Sequence, residues 1–483
     1  MAESAIVAAV RAAAARVPER AALLDPGQAL TYAELETRAA AAAARIAEHV
    51  RGDTVGLLLG NQPAFVWSLL GALWAAKTVA VLPTLAPPPL LKLMAAQAGL
   101  QTVLTSAELA PRLAEAGVAA LPLDTVAATG NPAFPLARRA HPAAVLLYTS
   151  GTTGRPKAVA LSDENILANA EGCRVAASFR NDEVMLAILP LFHAYGLTVT
   201  LLLPLTLGGT VLLQERFHPR AVLNAIEEHR VTALVAVPSQ YRLLVKETTP
   251  PRCGASLHLC IAGAERLSEQ VGHDFEARFG QPILQGYGAT EASPVIALNP
   301  RRANRPDTVG RPLPNLRVTL RDEGKEVHSG EMGEIWVEGP NVMLGYYNNP
   351  QATAEKLVGG ALRTGDLGFF DADGYLHLAG RADDLIKVAG EKIYPAEVER
   401  VLEEIEGVEE AAIIGVPDEK HGTVLRAFVQ PKANVALSEA GLRVASRERL
   451  EAAKVPRSFV VVDQLPRSTS GKVDKRALAS HSG

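Results

Sequence analysis

Residues 144–159, AVLLYTSGTTGRPKAV, carry an apolar run that ends at Tyr148 and passes directly into a loop of hydroxyls and glycines. A short run of Val and Leu bounded by turn residues reads as a strand buried on both faces. The loop that follows offers Thr149, Ser150, Thr152 and Thr153 as donors, and Gly151 and Gly154 let the backbone approach a ligand closely. With Lys157 adding positive charge, such a loop can wrap phosphate oxygens. It is not a Walker A loop, because Pro156 stands between Gly154 and Lys157 where that motif needs Gly-Lys-Ser/Thr. A plain polar turn is the alternative reading of the segment taken alone.

Outward from this loop, short Val-, Ile- and Leu-rich runs alternate with helical stretches: 54–59 as strand, 64–76 as helix, then strands at 78–82, 183–189 and 233–237. That alternation predicts an α/β fold with parallel and mixed sheets covered by helices. No linker interrupts the first 380 residues or so, which read as one large N-terminal domain over 1–382. From Gly365 the texture changes. Asp371-Ala372-Asp373-Gly374 is a hairpin turn, Pro395 opens a helix whose Val398, Val401, Leu402 and Ile405 share a face, and further strands fall at 411–416, 424–429 and 458–462. Residues 383–483 therefore form a separate small α+β domain, with Asp383 at the junction as a hinge candidate.

A length of 483 residues, a net charge of −4 and 48% hydrophobic residues describe a folded globular chain without a nucleic-acid footprint. Cys173, Cys253 and Cys260 are too few and too irregularly spaced for a disulfide framework, which with the absence of a targeting pattern at the start points to the cytoplasm. The most apolar stretch, 198–213, is too short for a membrane span and contains Pro204, so it reads as core.

Several other segments carry chemistry. In QGYGATE, 285–291, Tyr287 offers a ring for a base to stack on, beside Gly288, and Glu291 a hard oxygen ligand for Mg²⁺; a glycine-punctuated turn with a surface acid is the alternative. Asp366 in RTGDLG could accept both hydroxyls of a ribose, and Arg381 could reach a phosphate or ribose. Lys472 follows Gly471 in a C-terminal loop of small residues. Five such segments in this order point to one site more readily than to five independent turns.

Taken together, these motifs resemble the adenylate-forming superfamily: acyl- and aryl-CoA synthetases, nonribosomal-peptide adenylation domains and firefly luciferase. The resemblance runs from Thr31-Tyr32-Ala33-Glu34-Leu35 to Lys472. It implies a large N-terminal domain, a small mobile C-terminal domain, and two steps through an acyl-adenylate. By matching motif, the 148–157 loop resembles the one that holds the ATP β- and γ-phosphates, Tyr287 and Ala262-Gly263-Ala264 the adenine contacts, and Thr290 and Glu291 the α-phosphate and Mg²⁺ ligands. Asp366 resembles the ribose clamp with Arg381 its partner, Lys472 the lysine bridging carboxylate and α-phosphate, and His193 the aromatic gate. The loop at 388–391, with Gly390 and Glu391, would border the thiol tunnel after the small domain rotates.

Amino-acid-activating relatives generally carry an aspartate near the position of His193, and LFHAYGL has none, so a fatty or aromatic acid is expected. Its pocket is expected among His193, Tyr195, Ser239, Gln240, Tyr241, Ala262 and Ala289. VAGEKIYPAEVE is similar to CoA ligases and GKVDKRAL to enzymes that load a carrier protein, so the thiol is expected to be CoA, with a phosphopantetheinylated carrier as the alternative. A homologue that binds nucleotide or acyl ligand without turnover is a third reading, opposed by the presence of Glu291, Asp366, Arg381 and Lys472. Two departures from the family pattern stand out: Ala158 where glycine is usual, and Asp163 where a histidine is common.

Overall fold

The computed structural model describes residues 3–123, 141–149, 156–247, 254–388, 391–418, 422–432, 434–467 and 473–480. The chain divides into two compact units, Met1–Val318 with Trp336–Arg363, and Thr319–Ile335 with Thr364–Gly483.

The larger unit is built on two sheets. In the seven-stranded sheet, Thr54–Leu58 pairs in parallel with Thr78–Val81 and Thr102–Thr105, and Thr78–Val81 with Ala143–Thr149. The last of these turns back as an antiparallel hairpin with Lys157–Ser162, and Gly345–Tyr346 adds the edge. All four residues of Thr78–Val81 and four of five in Thr54–Leu58 are buried. Such continuous burial, rather than alternation, marks strands covered by helices on both faces.

The nine-stranded sheet places Val184–Ala187, Ala233–Ala236, Leu259–Ala262 and Ile283–Gly288 side by side in parallel. Successive side chains point to opposite faces. Leu186, Leu234 and Cys260 join one cluster with Phe275 and Phe279, and Met185, Val235 and Ile261 join another with Cys173 and Leu203. Among the described residues no helix is long and apolar enough to cross a membrane. The apolar 198–213 stretch is core: a π-helix, Tyr195–Leu202, runs into Leu203–Leu207 and the buried strand Thr210–Leu213. Gly196 opens it where a Cβ would lie 2.4 Å from the Pro190 carbonyl oxygen, so no larger residue fits.

Helix starts follow local chemistry. Thr31 and Glu34 form a reciprocal capping box at Tyr32–His49, as do Ser162 and Asn165 at Asp163–Ala177. The first helix, Ala5–Arg16, buries Ile6, Val7, Val10, Ala13 and Ala14 along one side.

In the smaller unit, Asp371 Oδ1 accepts from the amides of Asp373 and Tyr375, and Gly374 takes φ +79°, which closes the hairpin expected from the sequence. Pro395–Glu403 packs Val398 and Leu402 onto Val408–Asp418 and Gly422–Pro431, with Ser458–Val461 parallel to the latter.

Candidate active site

Thr149 and Lys157 face each other as the last pair of the hairpin, so the strands deliver the two ends of the phosphate-type loop to one place. Ser150, Gly151, Thr152, Thr153 and Gly154 lie outside the described residues. The exit of the loop is held by Gln97, whose Nε2 donates to the Pro156 carbonyl at 2.8 Å and whose own backbone carbonyl accepts from Asn348 Nδ2 at 3.3 Å. A cavity of about 120 Å³ is bordered here by Gln97, Lys157, Tyr346 and Asn348. Lys157 Nζ stands 5.1 Å from the centroid of the Tyr346 ring, within cation–π range.

Both departures from the family pattern are accommodated. Ala158 is buried in regular strand opposite Tyr148, with no left-handed φ to require glycine. Asp163 accepts hydrogen bonds from the Ser4 hydroxyl and, at 3.2 Å, from the Ile6 amide, so its carboxylate anchors the first helix by its N-terminus.

Ile283–Gly288 ends at Tyr287 and Gly288, next to Ala262 at the end of its parallel neighbour. Gly288 is required by space: a Cβ would lie 2.2 Å from the Pro294 carbonyl oxygen. The chain then makes the turn Thr290–Ala292, which carries Glu291. Glu291 Oε1 accepts from the Tyr346 hydroxyl at 2.7 Å, and the Glu291 carbonyl accepts from the Met343 amide at 2.9 Å. Asn169, wholly buried, fastens the same turn by donating to the carbonyls of Ala292 and Val295 and accepting from the Val295 amide.

Glu291 Oε2 accepts no hydrogen bond from the described residues, and no group of three metal-ligating side chains occurs among them. One carboxylate with a free oxygen fits Mg²⁺, which typically takes one or two carboxylates and fills its octahedron with substrate phosphates and water.

Ala262, Gly263 and Ala264 leave the Leu259–Ala262 strand beneath Tyr195, where a Cβ on Gly263 would lie 3.1 Å from the ring. Ala264 adopts φ +71°, an uncommon conformation for a residue with a Cβ. His193 presents accessible surface yet is sunk among protein atoms, with Phe192 at 4.5 Å between ring centroids, and this desolvation holds its pKa below 6.5. Burial pushes the Tyr195 phenol far above its ordinary range, so it stays neutral.

The other expected pocket residues are engaged locally. The Ser239 amide and hydroxyl donate to Glu265, and Gln240 Oε1 accepts from the Val237 amide, so both serve the start of helix Pro238–Lys246. Tyr241 has no exposed surface; its hydroxyl donates to the Leu234 and Ile261 carbonyls and its ring packs on Phe275, which makes it a core residue. Ala289 is half-buried and donates its amide to the Pro294 carbonyl.

In the smaller unit, Asp366 and Arg381 are register partners, with Arg381 Nη1 3.3 Å from Asp366 Oδ1. The Asp366 amide donates to Thr364 Oγ1, which in turn donates to the Ile335 carbonyl. Asp383 is exposed in the turn Ala382–Asp384, and Glu391 opens Glu391–Ile393. Gly390 and Lys472 lie outside the described residues. The segment bearing Lys472 is bracketed by an antiparallel bridge between Arg467 and Val473, and Lys475 pairs with Glu399 at 2.7 Å.

Tyr346, Asn169 and Glu265 were not singled out by sequence. Tyr346 sits in the turn-rich GYYNNP, 345–350, where nothing local reveals that its hydroxyl meets Glu291.

The family model for AMP-binding enzymes matches residues 10–347, and that for the AMP-binding enzyme C-terminal domain matches 397–472. The chain is 37% identical to a feruloyl-CoA synthase of an Amycolatopsis species over 95% of each chain. It is 34% identical to a sulfoacetate–CoA ligase of Cupriavidus necator over 99% of this chain and 97% of the relative. Among solved structures, ATP-bound MatB from Rhodopseudomonas palustris superposes with a TM-score of 0.92 at 29% identity, covering 99% of both chains. The o-succinylbenzoate CoA synthetase of Bacillus subtilis, solved with its acyl-adenylate, gives 0.88 at 31% identity, covering 97% of both. The strand-end glycines, the Glu291 turn and the Asp366–Arg381 pair thus occur in a chain that belongs to the AMP-binding enzymes, as an AMP-forming acid–CoA ligase.

Proposed function

We propose that the protein activates a fatty or aromatic acid lacking an α-ammonium group. The acid's carboxylate attacks the α-phosphorus of ATP, the bond to the β-phosphate oxygen breaks, and pyrophosphate leaves behind an acyl-adenylate. The sulfur of CoA then attacks the acyl carbon, AMP leaves with the C–O bond electrons, and the thioester forms. The observation that carries the reading is the Glu291 carboxylate, held by Tyr346 with one oxygen free, on the same unit as the Thr149–Lys157 hairpin end.

The physical obstacle to the first step is like charge. Two anions 4 Å apart repel by about 4 kcal/mol at an effective dielectric of 20. Lys157, the donors of the 149–154 loop and Lys472 are the groups we assign to offset it, with Thr290 toward the α-phosphate. Bound at Glu291, Mg²⁺ would supply further charge neutralisation. Tyr287 and Ala262-Gly263-Ala264 take the adenine, and Asp366 with Arg381 the ribose. No general base is needed, since a carboxylic acid is already ionised at neutral pH. His193 and Tyr195, neutral and aromatic, suit an uncharged acyl tail near the gate.

For the second step we assign a rotation about Asp383 that withdraws Lys472 and brings Gly390 and Glu391 to the thiol path. ATP, CoA and the free thiols of Cys173 and Cys260 fit a reducing, cytoplasmic setting.

One experiment tests the assignment of acid and acceptor. The protein is incubated with ATP, Mg²⁺ and a panel of fatty, aromatic and amino acids, and AMP release is followed with and without CoA. The expected result is CoA-dependent AMP with one acid class and none with amino acids. AMP that appears only with a phosphopantetheinylated carrier protein would replace CoA as the acceptor. Bound nucleotide without AMP under any condition would overturn the catalytic reading.

A further inference from the structure

Lys157 and Glu291 carry opposite charges beside the same tyrosine, yet among the described residues neither side chain is in an ion pair. Tyr346 occupies both. Its ring face receives the Lys157 ammonium at 5.1 Å, and its hydroxyl donates to Glu291 Oε1 at 2.7 Å. The ring itself is fixed: Tyr346 is 6% exposed, its backbone pairs with Val159 on the strand that begins at Lys157, and its amide donates to Thr353 Oγ1 at 2.9 Å. Gly345, at φ +140° and with a Cβ position 2.8 Å from Thr353, lets the chain pass close enough for this contact.

We propose that Tyr346 is a positioning residue that keeps Lys157 and Glu291 apart while aligning each, the ammonium for phosphate oxygens and the carboxylate for a divalent cation. This rests on the reading of Glu291 as the metal carboxylate. A direct Lys157–Glu291 pair would neutralise the acid and compete with the cation for its oxygens, and it would remove the ammonium from the phosphate site. A phenol suits the task because it donates one neutral hydrogen bond, leaving the carboxylate its full charge and Oε2 free. The aromatic face offers the ammonium an attraction weak enough to be exchanged for an anionic oxygen.

The test uses the full-length protein with Mn²⁺ as probe, titrated by electron paramagnetic resonance in the presence of α,β-methylene-ATP. Tyr346→Phe keeps the ring and removes the hydroxyl, and Mn²⁺ affinity should fall about tenfold, the scale typical of residues that orient a metal ligand. Tyr346→Leu also removes the ring, and affinity should fall further because Lys157 can now reach Glu291. Adding Lys157→Met to Tyr346→Leu should then recover part of the Mn²⁺ affinity, an outcome that a packing role would not produce. Glu291→Gln is the reference. If it weakens Mn²⁺ while Tyr346→Phe binds as wild type, or loses only thermal stability, the positioning role is refuted; if Glu291→Gln itself binds as wild type, the metal assignment fails and this inference with it.

Discussion

The Leu191 amide donates to Asn61 Oδ1 at 3.0 Å, and the same carboxamide reaches the carbonyls of Ala187, Leu189 and Gln214 through Nδ2. Asn61 follows the Thr54–Leu58 strand of the seven-stranded sheet, whereas Ala187 ends a strand of the nine-stranded one. A single buried side chain therefore ties the two sheets together just ahead of Phe192 and His193.

Asn61→Leu leaves the Leu191 amide buried without its acceptor, which should lower stability by about 1–3 kcal/mol. Because the loop it holds leads to His193 and Tyr195, KM for the acid should rise more than KM for ATP. Urea unfolding and steady-state kinetics check both, and equal changes in the two KM values would show that Asn61 serves the fold alone.

His193 makes stability depend on pH with a definite sign. Its pKa is depressed by desolvation below the ordinary 6.5, so between the lowered value and 6.5 the unfolded chain binds more protons than the folded one. Its contribution is fully present above pH 6.5 and is lost as pH falls through the folded pKa. His193→Phe should flatten the decline in stability below pH 6.5, read as the difference between wild-type and variant denaturation midpoints at pH 5.5 and 7.5. An unchanged slope would contradict the desolvated environment.

On the role proposed for it, Lys472→Ala removes a charge contact used in the first transition state. By analogy with oxyanion donors, adenylation should fall by about 10² to 10³. Thioester formation from supplied acyl-adenylate should be retained. Pyrophosphate exchange near the wild-type rate would remove Lys472 from the first step.

What the sequence made legible was what local pattern can carry. The strands now seen at Thr54–Leu58, Thr78–Val81 and Ala233–Ala236 were readable because parallel strands covered on both faces are apolar throughout, and the Asp371–Gly374 turn because its residue types dictate its backbone. The Tyr195–Leu202 π-helix was not, since residues buried on every side of it leave no period to detect. Nor were contacts such as Tyr346 with Glu291, 55 residues apart, or Asn169 with Val295, 126 apart, which exist only after the sheets assemble. Tyr241 shows the same limit from the other side. Its sequence neighbourhood suggested the acid pocket, but its helix face packs it with Phe275 in one core cluster, whereas Tyr195 packs against the other.

On the acid pocket proposed above, the wide turn at Tyr195–Leu202 also offers a handle for redesigning acid preference. A π-turn holds one residue more than an α-turn, so deleting a single residue there would let the segment relax to ordinary winding instead of breaking it. Because the wide turn absorbs that residue, the flanks would stay in phase and the reshaping would be confined to the side chains of the turn itself, Tyr195 among them.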